Sequence, residues 1–285
     1  MVRSAGRLTL AYEVVDVFTD AAFSGNPLAV VLDADDLGTA QLQAIAQEFN
    51  LSETAFPLQA TEGSTYRLRI FTPQTELPFA GHPSVGAAWV LHRLGRIDAG
   101  PNVQDCGAGL LPVTVTAEGA TLTGGEPSLS AALDPEPALA AVGLSPDDLA
   151  GPAPRRAGVG IDWNYLLVRR DALSRVRLDL QAVDALGATG LALVAWDGTA
   201  AHVRVFCSGV GIPEDPATGS AALGLAVYLA EELGDGEHAF DVVQGVEMGR
   251  PSRLSVALSV RDGRAVRTTV TGSVVAVARG EISVP

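Results

Sequence analysis

Arg69-Ile70-Phe71, a proline-bearing loop, then Ala80-Gly81-His82-Pro83-Ser84-Val85-Gly86 and an apolar stretch ending Leu94-Gly95 decide the fold, because the chain writes this segment twice. Some 135 to 138 positions later, Arg204-Val205-Phe206 leads through a second such loop to Thr218-Gly219-Ser220-Ala221-Ala222-Leu223-Gly224 and a stretch ending Leu233-Gly234. One strand, loop and helix has been used twice. Working outward, Asn26-Pro27-Leu28-Ala29-Val30 precedes Asn164-Tyr165-Leu166-Leu167-Val168 by 138 positions, and Leu42-Gln43-Ala44 precedes Leu180-Gln181-Ala182 by the same step. Turns at Glu118-Gly119 and Asp262-Gly263 keep the order. Two copies of ~140 residues describe a duplicated pair of domains, since solenoid repeats are shorter and more numerous. A functional site is expected between the halves.

Within each copy the periodicities alternate between strand and helix, which makes the class α/β with α+β character. Val14 to Phe18 and Leu28 to Leu32 read as strands around the turn Phe23-Ser24-Gly25-Asn26-Pro27. A helix follows, with Thr39 as its expected cap and Leu42, Ile45, Ala46 and Phe49 as its apolar stripe. Thr65 to Thr72 alternates like a strand with two unlike faces, and His202 to Phe206 repeats it. After Pro83, Val85, Ala88, Trp89 and His92 form a helical stripe, matched by Leu223, Ala226, Val227 and Ala230. Val113 to Thr123 and Arg253 to Val270 read as hairpins. The aperiodic segment Gly124 to Ala138, with Pro127, Pro135 and Pro137, is the expected linker. The expected domains are residues 1–127 and 128–285, with a carboxy-terminal strand near 274–285 returning to the first.

Composition narrows the function. The chain has 285 residues, enough for two cores, and 19 basic against 33 acidic residues give a net charge of −14. That balance repels phosphate backbones and anionic bilayers, so neither nucleic acid nor a membrane is an expected partner. All 19 basic residues are arginine. The absence of lysine excludes Schiff-base chemistry, pyridoxal-phosphate enzymes and a Walker-type phosphate loop. Two cysteines, Cys106 and Cys207, cannot build a disulfide framework, and Met1 to Arg7 lacks the apolar core of a secretory signal. A cytoplasmic location is the expectation.

The helix starts at Gly81-His82 and Gly219-Ser220 can present unpaired backbone N–H groups to a carboxylate, unless the glycines serve only their turns. His82 lies in the loop between strand and helix, where it can hold a substrate or a proton, or simply be a satisfied structural histidine. Asp215, in Glu214-Asp215-Pro216, either works with His82 or a substrate, or complements the helix dipole. Ser220 divides in the same way between cap and ligand. Glu53, in Leu51-Ser52-Glu53-Thr54-Ala55-Phe56, is either a surface residue of a loop or a carboxyl whose burial raises its pKa toward the range of a general base. The comparable stretch of the second copy, Gly190-Leu191-Ala192-Leu193, has no acid. No His, Cys and carboxylate set has metal-ligand spacing, so no metal is expected. Gly209-Val210-Gly211 is followed by Ile212-Pro213-Glu214, which breaks the dinucleotide fingerprint. Ser84 fails the nucleophile-elbow pattern.

Four blocks carry a resemblance: Phe23-Ser24-Gly25-Asn26-Pro27-Leu28-Ala29-Val30-Val31, Leu51 to Phe56, Phe71-Thr72-Pro73 with Glu76-Leu77-Pro78-Phe79-Ala80-Gly81-His82-Pro83, and Glu214-Asp215-Pro216-Ala217-Thr218-Gly219-Ser220-Ala221. Together, from about Tyr12 to the end, the chain resembles the PhzF family of phenazine-biosynthesis-like isomerases. The resemblance implies a diaminopimelate-epimerase-like fold, with two domains related by a pseudo-twofold, each a mixed β-sheet wrapped around a central helix. It also implies a homodimer that needs no cofactor. Glu53 stands in the motif of the glutamate that moves a proton between carbons of dihydro-3-hydroxyanthranilate. His82 and Asp215 match proton-handling positions, and Asn26, Gly81, Gly219 and Ser220 match substrate-binding ones, the glycines offering backbone donors to a carboxylate. The thiols of the related cysteine-dependent racemases are replaced here by Ala80 and Pro216. The expectation is a cofactor-independent isomerase acting on a small carboxylate-bearing metabolite, with a non-catalytic binder as the alternative.

Overall fold

The computed structural model describes residues 2–4, 7–207 and 212–285. The Gly209-Val210-Gly211 stretch and residues Met1, Ala5 and Gly6 of the amino-terminal segment lie outside the described residues. The chain forms two compact units, one of Met1–Leu122 with Thr271–Pro285 and one of Thr123–Val270.

The first unit contains β1 (Val2–Ser4), β2 (Arg7–Val17), β3 (Asn26–Val31), α1 (Thr39–Phe49), β4 (Glu53–Leu58), β5 (Tyr66–Phe71), the short β6 (Glu76–Leu77), α2 (Gly81–Arg93), β7 (Gly100–Cys106), β8 (Gly109–Val115) and β9 (Gly119–Thr123), whose last residue falls in the second unit. Its sheet runs β2-β3-β4-β5-β7-β8-β9, antiparallel except for the parallel pairs β3/β4 and β5/β7. The second unit contains β10 (Ser128–Leu129), α3 (Pro135–Val142), β11 (Arg155–Gly158), β12 (Asp162–Leu167), α4 (Leu180–Ala185), β13 (Leu191–Trp196), β14 (Ala200–Cys207), β15 (Ile212–Asp215), α5 (Gly219–Leu233), β16 (Gly236–Gln244) and β17 (Ser252–Arg261). Its order β11-β12-β13-β14-β16-β17 repeats the first sheet strand for strand, with parallel pairs again at the second and fourth junctions. The last strand, β18 (Arg264–Ser283), starts in the second unit and ends in the first, where Val274 to Ser283 pair antiparallel with Val17 to Thr9 of β2.

The duplication reaches individual side chains. Arg69 grips Glu76 through Nε and Nη2 at 2.7 Å each, while its guanidinium lies 5.1 Å from the Phe71 ring centre. Arg204 grips Glu214 at 2.8 and 2.7 Å and lies 5.1 Å from the Phe206 ring centre. In both units the strand before the central helix is followed by a short antiparallel return whose glutamate holds that arginine flat on an aromatic ring.

Each sheet carries a helix on both faces. On one side, α1 packs Leu42, Ile45 and Ala46 against Val31, Phe56 and Phe71, and α3 and α4 cover the second sheet through Leu139, Val142 and Val183 against Leu166, Leu193 and Phe206. On the other side lie α2, in contact with β2, β3, β4 and β8, and α5, in contact with β10, β11, β12 and β17. These helices are buried all round rather than along one stripe: every residue from Gly81 to Leu91 and from Gly219 to Ala230 is buried. A sheet curling around a helix leaves it no wet face, so burial extends beyond the stripe read from the sequence of each helix. A helix buried in this way must be apolar on every side.

Three local expectations are corrected. The cap of α1 is Gly38, and Thr39 is its first helical residue, whose hydroxyl accepts from Arg69 Nη2 at 2.8 Å. The expected linker is partly helical: Asp134 accepts from the Glu136 N–H and Pro135 occupies the first turn of α3, where a missing N–H costs nothing. Finally, Asn164 is not the counterpart of Asn26. Leu28 faces Gly86 of α2, whereas Leu166 packs in the opposite layer with α3, so the step of 138 places the two segments on opposite faces. The Asp262-Gly263 turn matches its expectation, with φ of 51° and 69° at the two residues. Among the described residues no helix is long and apolar enough to cross a membrane.

Candidate functional site

In the first unit, four sequence-selected residues converge where α2 begins. β3 opens with Asn26, β4 opens with Glu53, and Gly81 and His82 form the first turn of α2. The parallel pairing of β3 with β4, with Leu28 opposite Glu53, brings the first two strands' starts together. Gly25, at φ 65°, makes the turn that delivers Asn26, and a Cβ there would run into the Val17 carbonyl and Thr19. Glu53 is 9% exposed and His82 3%. The surface reading of Glu53 is therefore set aside.

His82 Nε2 lies 3.6 Å from Glu53 Oε2, and Asn26 Nδ2 lies 3.2 Å from His82 Nδ1. Ser52 Oγ donates to Asn26 Oδ1 at 3.0 Å, bracing the amide from the far side. Although the Nε2–Oε2 distance is short enough to count as an ion pair, burial pushes the His82 pKa down to about 3, with the Pro27 carbonyl pulling weakly the other way. The imidazole is neutral at physiological pH. A neutral ring beside a carboxyl can pass a single proton without placing an uncompensated charge in the interior.

In the second unit, Asp215 ends β15 and Gly219 and Ser220 open α5. Asp215 is 8% exposed and does not cap the helix: the cap position is Thr218, whose hydroxyl donates to Asp215 Oδ2 at 2.5 Å. Ser220 Oγ accepts from Trp163 Nε1 at 3.2 Å. Gln244, at the end of β16, reaches the same turn with three hydrogen bonds. Neither central helix has a side-chain cap at its start, although both starts are buried. Buried helix ends with N–H groups left for another partner are the geometry of an anion-binding turn.

Ser52, Trp163, Thr218 and Gln244 escaped the sequence reading. Gln244 left a trace: Phe240 and Val242 alternate inward along β16, and the next inward position is a polar residue that is 1% exposed. The cysteines sit on β7 and β14, and Ala80 and Pro216 stand ahead of the helix starts. Among the described residues no three His, Cys, Asp or Glu side chains are grouped to hold a metal ion.

Two α+β units, each with a mixed sheet around a buried helix, define the epimerase-like fold class. The sequence profile of the phenazine biosynthesis-like proteins matches residues 15–280, and the chain belongs to that family. It is 34% identical over 290 residues to a trans-2,3-dihydro-3-hydroxyanthranilate isomerase of Pseudomonas fluorescens, covering 95% of this chain and 98% of the relative. Among solved structures it is similar to a Bacillus anthracis phenazine biosynthesis protein of the PhzF family, with TM-score 0.87, 26% identity and coverage of 96% and 99%. It is also similar to a predicted epimerase from Pseudomonas aeruginosa, with TM-score 0.82, 36% identity and the same coverage. The chain is thus an isomerase of the PhzF type, which favours the catalytic over the binding reading.

Proposed function

We propose that this protein moves a proton between carbons of a small carboxylate-bearing metabolite similar to trans-2,3-dihydro-3-hydroxyanthranilate, with Glu53 as the acid/base and without a cofactor. The observation that carries the reading is the buried carboxyl of Glu53, 3.6 Å from a neutral His82 at an uncapped helix start. Glu53 takes the proton as the C–H bond breaks, and the electron pair spreads into the neighbouring double bond. The protonated Glu53 then returns the proton at the other end. No electrons leave the substrate, so no oxidant is consumed.

His82 and Asp215 handle hydroxyl or amino protons during this transfer. The N–H groups at Gly81 and Gly219 receive the carboxylate and offset charge that develops in the transition state. Asn26 orients His82, and Ser220 contributes a hydroxyl to substrate binding. The proposed setting is the reducing cytoplasm, and the proposed working form is a homodimer.

Turnover of trans-2,3-dihydro-3-hydroxyanthranilate in deuterated water, compared between the native chain and Glu53→Gln, tests the assignment. Turnover is expected to fall about 100- to 10,000-fold in the variant, the range for loss of a general acid/base, and deuterium enters the native product only as far as protonated Glu53 exchanges with solvent before it returns its proton. Undiminished turnover by Glu53→Gln removes Glu53 from the mechanism.

A further inference from the structure

The turn before α5 contains a hydrogen-bond chain whose direction can be read without seeing a hydrogen. Gln244 Oε1 faces the Thr218 N–H at 3.2 Å, and its Nε2 faces the Asp215 carbonyl at 2.7 Å. A backbone N–H can only donate and a carbonyl can only accept, so these two contacts fix which end of the amide is nitrogen. The same Nε2 lies 2.9 Å from Thr218 Oγ1 and gives it a second hydrogen. The Thr218 hydroxyl in turn donates to Asp215 Oδ2, 2.5 Å away, a length typical of a hydroxyl donating to a carboxylate.

The first unit has a parallel chain with a different terminus. Tyr66 donates to Gln104 Oε1 at 3.1 Å, Gln104 Nε2 donates to Ser84 Oγ at 2.9 Å, and Ser84 donates to the Ala80 carbonyl at 2.9 Å. In both units a buried strand glutamine, Gln104 or Gln244, drives a hydroxyl at the start of the central helix. In the first the proton ends on backbone, which is bracing. In the second it ends on a carboxyl group.

We propose that Gln244 and Thr218 are positioning residues that hold the Asp215 carboxyl through its Oδ2, so that Asp215 meets the metabolite in one fixed orientation. This rests on the reading that Asp215 handles substrate protons. The amide, fixed between two backbone groups, holds the hydroxyl, and the hydroxyl holds the carboxyl.

The test uses the full-length protein with trans-2,3-dihydro-3-hydroxyanthranilate as probe, and compares Thr218→Val, which keeps the shape without the hydroxyl, with Thr218→Ser, which restores it. Thr218→Val is expected to lower kcat roughly 10- to 100-fold, as for loss of a hydrogen bond to a charged group, with KM within about twofold of native and Tm nearly unchanged. Thr218→Ser is expected to recover most of that loss. Full kcat in Thr218→Val, or no recovery in Thr218→Ser, overturns the proposal. Asp215→Asn separates the two readings: if it is fully active, Asp215 itself is not part of the reaction, whereas an inactive Asp215→Asn beside a fully active Thr218→Val leaves Asp215 in place and removes the relay. Independently of any substrate, the Thr218 hydroxyl proton is expected as a slowly exchanging NMR signal with a contact to the Gln244 amide. A hydroxyl in fast exchange with water overturns the relay as drawn.

Discussion

His82 carries its ring in a nearly dry setting, 3% exposed, with its pKa driven down to about 3 by burial. The unfolded chain takes a proton on this ring below pH ~6.5, while the folded chain does not until about 3. Between those values the unfolded state binds more protons, so stability falls as the pH is lowered, by about 1.4 kcal/mol per pH unit from this group alone. In His82→Gln that contribution disappears. Urea unfolding from pH 7 to 4 is expected to show a shallower loss of stability in the variant, and parallel curves would contradict the neutral ring. Glu53 could be picked out as a carboxyl among apolar and small residues, His82 and Asp215 by their places at the approach to the central helices, and Asn26 through the resemblance. Ser52 and Trp163 could not. Their roles come from strands that meet only in three dimensions, and a serine or a tryptophan beside a strand is ordinary in one dimension.

The two central helices show an element foreseen together with its surroundings. Their starts were legible from the glycine turns, their ends from Leu94-Gly95 and Leu233-Gly234, and the wrapped sheet extends burial beyond the stripe picked out on each. The price of such burial is paid at close approaches. A Cβ on Gly224 would collide with the Tyr165 hydroxyl, which donates to the Ala221 carbonyl at 2.7 Å, and would crowd the Ala157 carbonyl at 3.1 Å. Gly224→Ala is expected to destabilise by about 1–3 kcal/mol, the usual cost of overpacking, despite the better helix propensity of alanine. Chemical denaturation with an unchanged or higher midpoint would show that the neighbouring β11 strand yields instead. The misplaced Asn164 belongs to this scale too. Both segments are strands of similar composition, and a slip of odd length leaves the letters alike while exchanging the faces.

For the molecule as a whole, the repeated strand, loop and helix predicted two units, and each unit reproduces the other's strand order down to the Arg–Glu pair on its aromatic ring. The last strand is shared: its return to the first unit was expected near 274–285, and the first unit takes Thr271–Pro285. Residues Thr123 to Val270 form the second unit without interruption, whereas the first needs Thr271 to Pro285 to complete β2's pairing. A fragment of residues 123–270 is expected to give a cooperative thermal transition by itself, and one of residues 1–122 is expected to remain unfolded until 271–285 is supplied. A folded, stable 1–122 fragment would show that the β18 pairing is dispensable.

The same strand sets an order of events during synthesis. Residues 1–122 leave the ribosome first, yet their sheet lacks an edge partner until Thr271–Pro285 are released, by which time the contiguous later half has been free to fold. Maturation therefore runs backwards along the gene, and a nascent chain stalled before Thr271 would carry a finished second half and an unfinished beginning, the part that holds Glu53 and His82.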